Sequence, residues 1–356
     1  MGCAIAAELA RAGCVVQIFE KAIPGAEASS AAAGILGAGA EATHAGPLLQ
    51  LCQASQAMWP GFAQDLLHRT GLSIGMQACG AVELGRSADD MAQLRAKSQW
   101  LGASVPDLAL LDGQQVHQLV DGLGDDVIGA LWHPSDGQVE PPLLVRALAR
   151  DAELTGATLI TGRPIEGIVV ASGRVHGVQA GGLFPADHVV VAAGAWTDLV
   201  PGLAARRTSI RPLHGQLAEL LLPAPPCIPV LAWRGGYVVP RADGRVVVGA
   251  TSEDTGFDKR MTAGGLHHLL AMAISAVPAL AQATVVRHWA GLRPQSLDGL
   301  PLMGPYLPVA GLHFAAGHHR NGILLTPVTA RLIASSVLGA PWPTAWNSLL
   351  PAPTAC

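Results

Sequence analysis

Apolar positions in the first thirteen residues recur at helical spacing. Ala4, Ile5, Ala7, Leu9 and Ala10 fall on one repeat, and Gly13 is a natural stop. The pattern then changes to VVQIF (15–19), closed by Glu20, which predicts a short buried strand. Helix, glycine, strand and acid in that order form the second half of a βαβ dinucleotide unit. Residues 29–34 (SSAAAG) carry almost no bulk. Helical spacing returns over 48–70, 92–101 and 144–154, and short strands are predicted at 158–160, 165–170, 175–179 and 188–193. A turn is expected at Ser172-Gly173, and the last strand closes on Ala193-Gly194-Ala195-Trp196. After a proline-rich connection at 223–229, residues 237–240 and 246–250 predict a hairpin around Asp243-Gly244. Helices are expected at 264–280, ending near Pro278, and at 323–338, opening just after Asn321-Gly322. From Pro341 the chain is again proline-rich and is expected to be peripheral. βα-type segments interleaved with antiparallel hairpins predict a nucleotide-binding α/β domain and a sheet-rich domain, interleaved in sequence.

Composition sharpens this. Half of the 356 residues are hydrophobic and 13% are charged, against about 25% charged in a typical domain. With a mean hydropathy of +0.36, disorder is excluded. A net charge of −4 and only three lysines (Lys21, Lys97, Lys259) exclude a dedicated nucleic-acid surface. No run approaches the ~20 apolar residues of a membrane span; the longest, 189–196, reads as a strand and its turn. Glu8 and Arg11 break the leader-like start, and Ala6 breaks the myristoylation pattern. Six scattered cysteines (Cys3, Cys14, Cys52, Cys79, Cys227, Cys356) include no C-x-x-C pair. They read as free thiols in a reducing cytoplasm, and no metal site is expected.

Four places carry candidate chemistry. Glu20, at a strand end, reads either as an acceptor for the ribose hydroxyls of an adenosine or as a solvated charge, with Gly2 as the glycine that lets the first helix pack closely. Ala193-Gly194-Ala195 permits close backbone approach, or is an ordinary strand-to-helix turn. Arg293, between Leu292 and Pro294 in a chain poor in charge, has either an anionic ligand or an internal partner such as Asp298. His318-His319-Arg320-Asn321-Gly322 precedes a helix whose N-terminus favours an anion. Its histidines read as structural rather than as metal ligands, because no third ligand accompanies them. With no G-x-S-x-G elbow, a serine hydrolase has little support.

Four blocks, at 29–41 (SSAAAGILGAGAE), 237–258 (YVVPRADGRVVVGATSEDTGFD), 289–304 (WAGLRPQSLDGLPLMG) and 315–330 (AAGHHRNGILLTPVTA), resemble in order the FAD-dependent D-amino-acid oxidase superfamily. Within it, the glycine oxidases of thiamine biosynthesis are most similar. The resemblance implies a Rossmann-like FAD-binding domain at 1–75, 140–205 and 286–345. It also implies an antiparallel-sheet α+β substrate domain at 76–139 and 206–285, with a tail at 346–356. Glu20 and Lys21 match the ribose contacts, Ala28-Ser29 and Ala33-Gly34-Ile35 the backbone along the pyrophosphate and isoalloxazine, and Ile165 the adenine contact. The loop over the flavin ring corresponds to His318, His319, Arg320, Asn321, Gly322, Ile323 and Leu324. Arg293 matches the arginine that pairs with the substrate carboxylate, Tyr237 the tyrosine that assists it, and Arg320 a second substrate-side position.

The implied activity is oxidative deamination of glycine or a small amine by hydride transfer to flavin N5, with no side-chain base. The helix near Ile323 would stabilise the reduced flavin. Oxygen as acceptor gives hydrogen peroxide, the imine yields a keto acid and ammonia, and with glycine it serves thiamine thiazole synthesis. No cysteine lies in 293–304, so the FAD is expected to be non-covalent. The protein is expected to be a cytoplasmic homo-oligomer without nucleic-acid or membrane partners.

The family pattern places a strand and a G-x-G-x-x-G turn before the first helix, whereas this sequence opens at the third glycine, Gly2. The expectation is either a true chain about 15 residues longer or a flavoprotein of weakened FAD retention. Gly235 stands where the family has a histidine, so more room beside Tyr237 is expected. The alternatives are a D-amino-acid or sarcosine-type oxidase or dehydrogenase, or a flavin-free remnant acting as a partner subunit.

Overall fold

The structure, a computed structural model, describes residues 1–105, 107–203, 210–223 and 229–351. The chain opens with α1 (Gly2–Arg11), β1 (Gln17–Phe19), α2 (Ala28–Ala31), β2 (Ile35–Leu36) and α3 (Pro47–Thr70). Next come β3 (Ala81–Gly85), α4 (Ala88–Leu101), β4 (Ala109–Asp112), α5 (Gly113–Leu119), β5 (Gly129–His133) and β6 (Gly137–Gln138). α6 (Pro141–Leu154) leads to β7 (Thr158–Ile160), β8 (Gly167–Ala171), β9 (Arg174–Gln179), β10 (Leu183–Pro185) and β11 (Val189–Val191). The long strand β12 (Arg211–Leu221) is followed by β13 (Val230–Trp233), β14 (Gly236–Pro240), β15 (Arg245–Gly249) and α7 (Ala263–Ala276). β16 (Thr284–Gln295), β17 (Leu302–Pro305), β18 (Leu312–Ala316) and α8 (Thr326–Val337) complete the order.

Eight strands form one mixed sheet in the order β16-β12-β15-β14-β13-β3-β5-β4, antiparallel except for the pair β13–β3. On one face Ala218, Val238, Val246 and Val248 pack against Leu269 and Ala273 of α7. On the other, Leu217, Tyr237, Val239 and Val247 pack with Ala33. Burial on both faces explains the unbroken Val246-Val247-Val248 run. The expected hairpin is β14–β15, with Pro240 opposite Val246 and Gly244 at φ +88° in its turn.

The parallel part of the α/β fold is in two pieces, β1–β7 and β11–β18, with β17 antiparallel beside β18. Among the described residues, β1 and β11 each pair with one strand only. Ile5, Trp59, Leu66, Leu144 and Ile333, from α1, α3, α6 and α8, share the largest core. Ser55 Oγ and Trp59 Nε1 both donate to the Leu324 carbonyl (2.7 and 2.9 Å), which ties α3 to the segment entering α8.

Several expectations need correction. α8 begins at Thr326, not Ile323; residues 319–321 form a separate 3-10 turn, and Pro327 suits the first helical turn because it has no N–H to satisfy. The helix expected to run to 280 stops at Ala276, and Pro278 opens a short 3-10 turn. The tail is not peripheral, since Leu349 is 1% exposed in the main core and Trp342 and Trp346 pack there. α4 starts at Ala88 because the Ser87 hydroxyl accepts from Asp90 N–H (3.1 Å). A Cβ at Gly2 would make an ordinary contact, 3.8 Å from Ala192 Cβ. The boundary expected at 286 falls inside β16, and most of the 223–229 connection lies outside the described residues.

Where α2 meets the sheet, the contact is close. Trp289 Nε1 donates to the Ala31 carbonyl (3.1 Å), and a Cβ at Gly291 would lie 2.5 Å from Ala31 Cβ. Both atoms are fixed to backbone, so α2 would have to retreat. Gly291→Ala is therefore expected to lower stability by about 1–3 kcal/mol, read as a lower urea midpoint with an unchanged slope.

Candidate active site

Along β16, residues 289, 291 and 293 face the same side, as do 213, 215 and 217 of β12, because side chains alternate along a strand. Gly215 pairs with Gly291, Leu213 with Arg293, and Tyr237, Gly249, Leu217 and Trp289 form a row across four strands. This face carries two long polar side chains lying flat. The Arg293 guanidinium occupies the space a Cβ on Gly215 would fill, and the Tyr237 phenol the space a Cβ on Gly249 would fill. Glycine at both positions is what lets them lie against the sheet.

Arg293 Nη1 donates to the Thr251 carbonyl (3.1 Å). The guanidinium also lies beside the Tyr237 hydroxyl, and among the described residues no carboxylate pairs with it. Asp298, the internal partner considered from sequence, instead accepts from Leu300 N–H (3.0 Å). Burial raises the pKa of Tyr237, and the nearby Arg293 charge opposes that rise. Tyr237 is thus a neutral hydroxyl donor.

Opposite the sheet, Ala28 and Ala31 to Ile35 wall a cavity that Tyr237 and Arg293 also line; His319, Arg320, Asn321 and Ile323 close it. Arg320 is not free. Its Nε and Nη2 both reach Glu41 (2.7 and 3.1 Å), whose charge raises the guanidinium pKa. His319, at φ +46°, is held down to about 4 by burial and by Arg293 and Arg320, so it is neutral. Two arginines against one glutamate leave the cavity with one uncompensated positive charge.

The remaining expected residues lie elsewhere. His318 is buried with Nε2 against Thr329 Oγ1 (3.1 Å), and burial lowers its pKa to about 3. Leu324 is core, and neither Gly322 nor Ser29 lines the cavity. Glu20 caps its own turn by accepting from Ala22 N–H (2.9 Å). Lys21 sits 3.8 Å over the Trp196 ring and pairs with Glu27 (3.7 Å). Ile165 packs on the core around Phe314, and Gly2 opens α1. Gly235 (φ +98°) shapes the β13–β14 turn and is not among the residues that line the cavity, and a Cβ on it would meet open space.

Sequence reasoning missed Glu41, although it is the one charge in the small-residue block 29–41. It also missed Gly215 and Gly249, whose role exists only across strands.

A flat polar cofactor fits this wall. His319 Nε2 is buried without a partner among the described residues. Among the described residues nothing accepts from the N–H of Gly34, where the backbone (φ +87°) is exposed to the cavity without a side chain.

Comparison with known proteins agrees. The model of the FAD dependent oxidoreductase family matches residues 1–336. Glycine oxidase of Geobacillus kaustophilus is 39% identical over 340 residues, spanning 95% of this chain and 90% of the relative. The bifunctional protein ThiO/ThiG of Trichormus variabilis is 36% identical over 351 residues, and there the match spans 95% of this chain but 51% of the relative. The crystal structure of the Geobacillus kaustophilus glycine oxidase superposes with a TM-score of 0.95 at 35% identity, covering 100% of this chain and 96% of that one. Iminodiacetate oxidase from Chelativorans matches with a TM-score of 0.91 at 28% identity, covering 99% and 97%.

The clash at Gly215 involves the far end of a flexible side chain, so relief is cheap in stability but displaces the guanidinium. Gly215→Ala is expected to change stability by less than about 1 kcal/mol while raising KM for an amino-acid substrate about tenfold or more. Steady-state kinetics beside thermal unfolding check this.

Proposed function

The chain belongs to the FAD dependent oxidoreductase family, and we propose that it uses its FAD to oxidise glycine or a similarly small amino acid. One observation carries this reading: the Arg293 guanidinium, beside the Tyr237 hydroxyl on the cavity floor, has no carboxylate of its own among the described residues. Its planar fork suits a substrate carboxylate bidentately, and that carboxylate neutralises the cavity's surplus positive charge.

FAD, when bound, would supply the two-electron acceptor, with oxygen as the final oxidant and hydrogen peroxide as by-product. Ala33, Gly34 and Ile35 would hold its ring with backbone rather than bulk, leaving the substrate between them and the Arg293–Tyr237 grip. No lining side chain is set to take a proton. His319 accepts one only near pH 4, and Glu41 is engaged by Arg320. The substrate amine must therefore arrive unprotonated, and the protein's contribution is positioning. With glycine the product is an imine, which supports a role in thiamine thiazole synthesis; similarity to half of the ThiO/ThiG protein favours the same role. Four free cysteines among the described residues favour a reducing, cytoplasmic setting, and no described helix is long and apolar enough to cross a membrane.

Arg293→Met is expected to keep the flavin absorbance and raise KM for glycine about 100-fold, equivalent to about 2.7 kcal/mol; an unchanged KM would sink the assignment. A second outcome concerns pH. Because His319 is depressed to about 4, it is already neutral above pH 5 and contributes no inflection there. The log of kcat/KM for glycine should rise along one limb set by the substrate amine.

A further inference from the structure

Arg241 follows β14 directly and is 5% exposed, yet among the described residues no acid neutralises it by contact. Nη1 donates to Gln138 Oε1 and to the Val139 carbonyl (3.0 Å), and Nη2 donates to the Ala33 carbonyl (2.6 Å). Among the described residues Glu140, Glu219 and Asp243 act on it only at longer range. A buried guanidinium served by neutral acceptors is costly, and burial lowers its pKa accordingly. Such a charge needs a reason to be there.

The neighbouring peptide supplies one. The Ala33 carbonyl belongs to the Ala33–Gly34 peptide, part of the cavity wall. In a trans peptide the N–H points opposite to the C=O. With the carbonyl fixed on Arg241, the Gly34 N–H leaves on the far side. It has no acceptor among the described residues. Gly34 is held from its other side as well, since its carbonyl accepts from Val139 N–H (2.9 Å), and Val139's own carbonyl is the second one Arg241 grips. A Cβ on Gly34 would collide with that Val139 carbonyl. One cation thus holds the carbonyl of the Ala33–Gly34 peptide directly and polarises that peptide's N–H, and it also grips the carbonyl of Val139, the residue whose N–H fixes Gly34 from its other side.

Resting on the placement of FAD proposed above, we infer that Arg241 is a positioning residue that aims and polarises the Gly34 N–H toward the flavin ring, favouring its electron-rich reduced form. The link runs through a peptide dipole, so a charge outside the cavity acts inside it.

The test compares holoenzyme carrying Arg241→Met, Arg241→Gln and Arg241→Lys, each checked for folding by circular dichroism. Dissociation of FAD is followed by flavin fluorescence, and the two-electron potential by dye equilibration without oxygen. Arg241→Met is expected to bind oxidised FAD within about tenfold of the parent while losing about tenfold in preference for reduced over oxidised flavin, a negative shift of about 30 mV. Arg241→Lys, which keeps the charge, should recover most of that shift; Arg241→Gln, which keeps a donor without charge, should not. If Arg241→Met fails to fold, the Gln and Lys pair carries the same comparison. Parental potentials in the uncharged variants, or equal potentials for Gln and Lys, would overturn the role of Arg241. The placement of FAD is tested separately by Ile35→Trp, which should weaken FAD binding. Unchanged binding there overturns the placement, and this inference with it.

Discussion

The organising constraint is close approach across the sheet. A guanidinium and a phenol lie flat on the face formed by β14, β15, β12 and β16 because Gly249 and Gly215 have no side chains to lift them. Gly291, in the next position on β16, lets α2 come down onto the same face. The floor of the cavity and the distance to its opposite wall are both set by missing Cβ atoms. Larger residues would keep the sheet but fill the site.

Electrostatics then divides the cavity. Arg320 is matched by Glu41 at two hydrogen bonds, whereas among the described residues Arg293 meets only a carbonyl and a hydroxyl. One arginine is therefore structural in its charge and the other is available to a ligand. Burial keeps His319 neutral and Tyr237 protonated, so among the described residues the cavity lining holds one open positive charge and no free base. Arg241 adds a further cation behind the wall, expressed through the Ala33–Gly34 peptide rather than by contact.

Much of this was legible in the chain. The hairpin about Asp243-Gly244, the helix at 48–70 and the strand ending at Glu20 follow from local spacing and turn residues. Arg293 and Tyr237 were identifiable by resemblance, and the structure brings them together. Glu20, Lys21 and Ile165 were named for a ligand, and the structure gives each a local contact: a capped turn, a tryptophan ring, a hydrophobic core. The tail was misjudged because proline content speaks to backbone freedom, not to whether Leu349 finds an apolar pocket.

Periodicity and composition by themselves determined the α/β character, the interleaving of helices with hairpins, and the scarcity of charge that made Arg293 conspicuous. Local rules suffice there, because helix spacing, strand runs and turn residues act over a few neighbours. Which arginine is left unpaired, which glycines make room, and which peptide carries a polarised N–H depended on residues more than two hundred positions apart. Arg241 and Ala33 meet across such a span, as do Gly291 and Ala31. Contacts of that kind are products of cross-strand register and helix docking, which no local pattern encodes.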